Sequence, residues 1–474
     1  MLVSFVLMNV LCGCAFIDRE MVVVMPAWVL LNCAAVYFVY LSLPGFQFPV
    51  FEIGTLFGAA ITLYGVAPLL QHQFKGGIYG TSADLRLWMS QPTAEEVGLA
   101  GWTHVVYFLA FAVAYLLVRR NEQFEVLRPD PVGTRQLVFA GIFFAGVIAL
   151  KTGIEIVFNL SHSTYLEVYT MADQLPPLLR QIYVHLSGAA FTLKLIIFCG
   201  IFASAREPLR IIAVWVVLDI ATLVFSLGGR TGIVLECLAV ILCFHVYVRR
   251  VNAAALAGMA GAILVAFLVL GVARNTNFAD ALTGSAGLEQ SNEMEAMFAN
   301  VLDIMQLKSR NMISLPPEAK YSELTAFIPQ QFLPFEKFDY STWYTSITYE
   351  VEGYGSCFGV ISQAMAGFGW SELVVRGMLT GLLFAGLHRF FIRRSQSWLH
   401  CAAYAWFTLW SYSAFRVTSL HPMIMFYLEA LPVFLVMRFI SRSASSGEPG
   451  GERFQPRKIG YGGISTGGTG RGRG

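Results

Sequence analysis

The chain has 474 residues, 56% of them hydrophobic and only 13% charged, with a formal net charge of +2. Soluble globular domains carry about 25% charged residues, so these proportions exclude one and indicate an integral membrane protein. The near-neutral total identifies no partner by itself, and no nucleic acid is expected among the partners.

Apolar runs of about 17 to 25 residues, the length a helix needs to cross about 30 Å of hydrocarbon, recur from Met1 to Ile440. They predict an all-α, polytopic membrane helix bundle of about twelve spans. In chain order these are 1–17, 21–43, 51–70, 99–118, 136–158, 186–204, 211–228, 231–248, 253–273, 373–392, 399–418 and 422–441. No basic region precedes the first run and no small-residue cleavage site follows it, so the first span is expected to remain as an anchor. Basic residues fall in alternate short loops: Arg119, Arg120, Arg128 and Arg135 in one, then Arg206 and Arg210, Arg249 and Arg250, Arg393 and Arg394, and Arg442 at the start of the tail. The positive-inside rule places these in the cytoplasm, with both termini, and puts the long loop on the outer, periplasmic side.

Residues 1–273 therefore form the first nine spans, and 274–356 the long loop. Loops beyond about 12 to 15 residues are usually functional or disordered, and this one mixes too many aromatics and prolines for a flexible linker, so it is expected to fold as a lid or site-forming segment. Residues 357–442 hold the last three spans, preceded by a weakly apolar piece, Cys357 to Trp370, read as re-entrant because a full crossing would put Arg393 and Arg394 outside. A thirteenth span is the alternative. The tail 443–474 is rich in Ser and Gly with scattered basic residues and is expected to be disordered in the cytoplasm, touching anionic lipid. The cysteines lie almost wholly inside spans and form no CxxC or Cys/His cluster, so neither a disulfide framework nor a zinc site is indicated. With no P-loop, GxGxxG, HExxH or DxD sequence, no nucleotide or metal cofactor is expected.

Arginines at the outer ends of spans carry the sharpest chemical signal, because the positive-inside rule makes them scarce there. Arg230 lies in Gly228-Gly229-Arg230-Thr231-Gly232, where glycines allow a ligand to approach and a helix begins, an arrangement suited to phosphate. Arg274 closes the ninth span, Arg416 closes the eleventh, and Arg180 and Arg310 lie in outer loops. Guanidinium groups bind phosphate bidentately and stay charged near lipid, so their convergence would point to a diphosphate; simple snorkelling is the competing explanation. Candidate bases are His421, before Pro422 at the outer start of the last span, and Glu350 and Glu352, where the long loop returns to the membrane. Lys151 and Glu155, spaced i, i+4, are expected to pair. Lys194, Asp219, Glu236 and Glu429 are also intramembrane and should face the bundle interior, where they could equally line a transport path. Loop aromatics such as Tyr321, Phe332, Tyr340, Trp343 and Tyr344 could stack on sugar rings or form a small core.

Leu227-Gly228-Gly229-Arg230-Thr231-Gly232 opening a span that ends in Arg249-Arg250, Arg274 at the next outer end, and Glu352-Gly353-Tyr354-Gly355-Ser356-Cys357-Phe358-Gly359 leading to Gly367-Phe368-Gly369-Trp370 resemble the Wzy-type O-antigen and oligosaccharide repeat-unit polymerases. More distantly the pattern resembles the O-antigen ligases, and it covers roughly residues 210 to 425. The resemblance implies a metal-independent glycosyltransferase of the bacterial inner membrane acting on polyprenyl-diphosphate-linked oligosaccharide, with membrane lipid around it and room for a chain-length regulator as partner. Arginines would hold the diphosphate and an outer-loop base would activate the acceptor hydroxyl. The long loop has no histidine, whereas such ligases are expected to use one there, which favours a polymerase. A ligase and a lipid-linked oligosaccharide flippase remain the alternatives.

Overall fold

The computed structural model describes residues 21–42, 52–75, 92–119, 132–160, 175–204, 230–247, 293–328, 332–348, 358–392 and 397–445, with a few positions between 208 and 215. Every regular element among the described residues is helical. In chain order these are α1 (Met21–Ser42), α2 (Ile53–Lys75), α3 (Ala94–Arg119), α4 (Thr134–Val157), α5 (Pro177–Ser204), α6 (Arg230–Tyr247), α7 (Glu293–Ser309), α8 (Pro317–Leu324), α9 (Tyr340–Thr348), α10 (Val360–Ala366), α11 (Trp370–Ile392), α12 (Trp398–Trp410), α13 (Ser413–Arg416), α14 (His421–Met425), a π-helical turn (Phe426–Ala430) and α15 (Leu431–Ser445). Among the described residues seven stretches are long and apolar enough to cross a membrane: α1, most of α2, α3, α4, most of α5, α11, and His421–Ser441. The chain is a helical membrane protein. The predicted spans 1–17 and 253–273, and most of 211–228, lie outside the described residues.

Two helix groups share one core. In the first, α1, α2, α3 and α11 approach closely because small residues line their contacts. A Cβ on Gly381 of α11 would sit 2.5 Å from Phe111 O of α3, and one on Gly98 of α3 would sit 2.5 Å from Val22 O of α1. Phe57, Phe108, Phe111 and Phe384 fill the space between these helices. In the second group α5 packs on α4, α6, α12 and the π-helical turn, and Lys194 of α5 faces Glu236 of α6 at 3.4 Å. Lys151 and Glu155 on α4 pair at 3.4 Å, as their spacing predicts.

The loop segment 293–348 is built into this core. Helix α7 packs on α2, α3 and α10 and buries Phe298 and Leu302 with four polar residues, Glu295, Asn300, Asp303 and Gln306. Burying such groups is costly unless they are hydrogen-bonded. Gln71 Nε2, near the end of α2, donates to Glu295 at 2.9 Å; Gln306 donates to Glu96, at the start of α3, at 3.0 Å; Tyr344 OH of α9 donates to Asp303. Helix α7 thus lies across one end of the first group. At the opposite end Glu52 accepts from Arg119 and Tyr115.

Two apolar segments differ from simple spans. The piece 357–370 contributes α10, seven residues, all buried, and at about 1.5 Å per residue too short to cross. The predicted span 399–418 is interrupted: α12 ends at Trp410 and a short α13 follows. Ser411 Oγ donates to Thr408 O at 2.8 Å and Ser413 Oγ to Trp410 O at 2.7 Å, and such local bonds give the backbone an alternative to the helix ladder. From α10, Gln363 Nε2 satisfies Val417 O at 2.5 Å. Non-helical backbone at membrane depth persists where protein or a polar cavity supplies the missing hydrogen bonds.

Candidate functional site at the broken helix

The interruption between α12 and α14 is where chemistry-bearing groups gather. Phe415 plugs α13 into the first helix group, its ring 5.4 Å from Tyr64, 5.9 Å from His104 and 6.0 Å from Tyr107. His104 in turn stacks on Phe298 of α7 at 5.3 Å. The next residue, Arg416, is half-buried, and His421 opens α14, which packs on α13. On the other side Gly359 brings α10 against the same segment: a Cβ there would lie 2.4 Å from Met297 Cε, 3.0 Å from Phe415 O and 3.7 Å from Arg416 O. Arg416 therefore sits at a junction of α7, α10 and α13, with His421 on the adjoining α14.

On the elements at this break several buried polar atoms have no hydrogen-bond partner among the described residues: Ser362 Oγ and Gln363 Oε1 on α10, Thr418 Oγ1 and His421 Nδ1 after α13, and the indole nitrogens of Trp406 and Trp410 on α12. Trp406 and Trp410 stack at 5.8 Å, and Trp410 continues onto Tyr412 at 6.2 Å. A buried polar group left unmet costs about 1–3 kcal/mol, and native proteins keep few of them. On α10, α13 and α14 the break thus gathers a hydroxyl and an amide oxygen, one guanidinium and one imidazole, groups that water or a ligand would satisfy.

The loop helices hold this junction together. Lys308, in the last turn of α7, donates to Met365 O at 2.8 Å and to Gly367 O, the final carbonyls of α10. A lysine there complements the negative end of a helix. Burial pulls the Lys308 ammonium below the usual lysine value. Tyr340, Trp343 and Tyr344 of α9 surround Phe358, with ring centroids 5.0–6.1 Å away. Burial pushes the Tyr340 phenol up to about 12. These three aromatics are spent on a small core, whereas Tyr321 and Phe332 are exposed.

The sequence-selected residues divide accordingly. Arg416 and His421 are brought together. Arg310 is exposed just beyond α7, and Arg180 is exposed in the first turn of α5. Arg230 opens α6, but its side chain lies outside the described residues. Arg274, Glu350 and Glu352 also lie outside them. Among the described residues no group of three or more His, Cys, Asp or Glu gathers as metal ligands. Sequence reasoning missed Ser362, Gln363, Trp410 and Thr418; a glutamine inside an otherwise apolar seven-residue helix was the one available signal.

No family model matches this chain, and neither a curated protein nor a solved structure matches it.

Proposed function

We propose that the protein is a Wzy-type oligosaccharide repeat-unit polymerase, a metal-independent glycosyltransferase that moves a growing glycan from its polyprenyl diphosphate carrier to a sugar hydroxyl of another lipid-linked unit. The observation that carries the proposal is the broken helix, which sets Arg416 and His421 on the adjoining short helices α13 and α14, with buried polar atoms of Gln363, Thr418 and His421 unmet among the described residues. A guanidinium held in a partly water-excluded pocket stabilises charge developing on a departing diphosphate, and an imidazole beside it can take the acceptor proton. Arg230 and Arg274, with Arg180 and Arg310, would complete the diphosphate site, and Glu350 or Glu352 is the alternative base. In this scheme the chain crosses the bacterial inner membrane about twelve times with both termini in the cytoplasm. Helices α7 to α9 then belong to the periplasmic loop, and α10 dips in from that side. No cofactor is invoked, since the energy resides in the glycosyl diphosphate bond.

The test is Arg416→Ala and His421→Ala in cells that depend on this chain for glycan assembly, with protein level and unfolding temperature measured alongside. A polymerase loses long chains while single repeat units still reach the outer face. Repeat units trapped on the inner face would instead make it a flippase, a reading favoured by the buried Lys194–Glu236 pair. Long unattached polymer would make it a ligase. Normal chains in both folded variants would remove the site.

A further inference from the structure

Pro432 shapes the last span. Proline lacks an N–H and its ring clashes with the carbonyl four residues earlier, here Leu428; the helix widens just before it, into the π-helical turn Phe426–Ala430, closed by Leu431 N–H donating to Phe426 O. A π-turn inserts one extra residue and changes which side chain faces a neighbouring helix. The side chain facing α5 is Glu429, whose carboxylate is 3% exposed. It lies over Gly188: a Cβ at that position would stand 1.7 Å from Glu429 Oε2, so only glycine admits the carboxylate. One turn earlier on α5, His185 Nδ1 is 3.6 Å from Glu429 Oε1, and its side chain is 36% exposed. Glu429 Oε2 is buried with no hydrogen-bond partner among the described residues.

Among the described residues His185 is the one group within ion-pairing distance of Glu429. The turn packs on α5, α14 and α15, and on α12 through Phe407, which stacks on Phe426 at 4.4 Å. Glu429 faces His185 at 3.6 Å; His421 on α14, Arg438 on α15, and His400, Cys401 and Tyr404 on α12 are further titratable groups on the elements packed against the turn. Farther along α5, Lys194 is engaged by Glu236 of α6. A hard cation takes about six oxygen ligands, and one carboxylate with one imidazole cannot supply them. A single proton needs no more than these two groups.

We propose that Glu429 and His185 form an intramembrane site that binds and exchanges one proton. The site lies apart from Arg416 and does not depend on the polymerase reading. The exchange is the simple addition of H⁺ to the Glu429 carboxylate to give the neutral acid, with its loss in reverse. The imidazole, the less buried of the two groups, is the way in and out for the proton. Ionisable groups in this position are costly and typically serve proton relays.

The experiment is pH-dependent infrared difference spectroscopy of the full chain in lipid, between about pH 5 and pH 9, the range in which perturbed carboxyl and imidazole groups titrate. A protonated-carboxyl band that titrates in the parent protein should vanish in Glu429→Gln. In His185→Gln its midpoint should shift, because the imidazole is the polar group that the carboxylate faces at 3.6 Å. Identical difference spectra for the parent and Glu429→Gln, both shown folded by circular dichroism, would overturn the proposal. So would a midpoint that His185→Gln leaves in place.

Discussion

Arg376 of α11 grips Glu323 of α8: its Nη2 lies 2.6 Å from Glu323 Oε2, and the same guanidinium reaches Glu372 Oε1, one turn back on α11, at 2.9 Å. All three side chains are largely buried. Glu372 also accepts from Phe368 N at 2.8 Å, so the cluster fixes the turn between α10 and α11 as well. This is the tie between the loop helices and the spanning bundle. Removing one partner of a buried pair costs about 3–5 kcal/mol, because the other charge is stranded. Arg376→Ala is expected to lose about that much in detergent unfolding experiments. Arg376→Lys keeps the charge but loses the planar fork that meets two carboxylates at once, and should recover only part of it. An Arg376→Ala protein that unfolds like the parent would show that α8 docks by other means.

A second buried tie holds the far end of the bundle. Arg119 Nε and Nη2 approach the two oxygens of Glu52 at 2.5 and 2.7 Å, and Tyr115 OH donates to Oε1 at 2.5 Å. Glu52→Gln should destabilise by about 3–5 kcal/mol, as it leaves a buried guanidinium without its counter-charge. The double replacement Glu52→Leu with Arg119→Met should return most of that loss, since well-packed apolar groups often equal or exceed a buried ion pair. Equilibrium unfolding of the single and double variants gives the comparison. If the double variant is as unstable as Glu52→Gln, the cluster contributes more than charge balance.

Hydropathy and spacing made much of this architecture legible. Helices α1 to α5 and α11 follow from runs long enough to cross a bilayer, and the Lys151–Glu155 pair follows from four-residue spacing. The role of α7 did not show. Its Glu295, Asp303 and Gln306 look like a solvated face, yet they bond to residues 224, 41 and 210 positions away. The break after Trp410 was equally hidden, because serines closing carbonyls inside an apolar stretch barely change its hydropathy. For the candidate site, the sequence singled out Arg416 by the scarcity of arginine at outer span ends and His421 as a possible base beside Pro422. The orphaned indole and amide groups beside them became visible only once backbone placement showed what they lack.

Lys308 gives a pH signature outside the spans. Burial lowers its folded-state pKa below the ordinary lysine value, while Glu372 raises it and Lys320 lowers it further. Between the folded pKa and the unfolded value near 10.4, the unfolded chain holds a proton that the folded chain has released. Stability therefore rises with pH across that alkaline window, and below it the burden of the buried ammonium is constant. Lys308→Met should abolish this increment. Plotted from about pH 7 to pH 11, the parent-minus-variant unfolding free energy is expected to be flat near neutrality and to climb above it. Parallel curves throughout would mean that the ammonium is as well solvated in the fold as in the open chain.

Gly359 is the tightest point of the candidate site, and a single methyl there separates packing from chemistry. The added Cβ of Gly359→Ala would meet Met297 Cε at 2.4 Å and Phe415 O at 3.0 Å. A methionine terminus can swing aside, but the backbone carbonyl next to Arg416 cannot, so α10 and α13 must move apart. Overpacking of this kind costs about 1–3 kcal/mol. Combining Gly359→Ala with Met297→Ala removes the closer clash and should restore part of the stability, while the carbonyl contact remains and keeps Arg416 displaced. Under the proposed polymerase reading, the expected pattern is a double variant with improved unfolding temperature and glycan chains still shortened. Full recovery of both would show that Met297 crowding alone mattered and that the position of Arg416 tolerates the shift; if neither property changes in Gly359→Ala, the close approach of α10 to α13 has no part in the site.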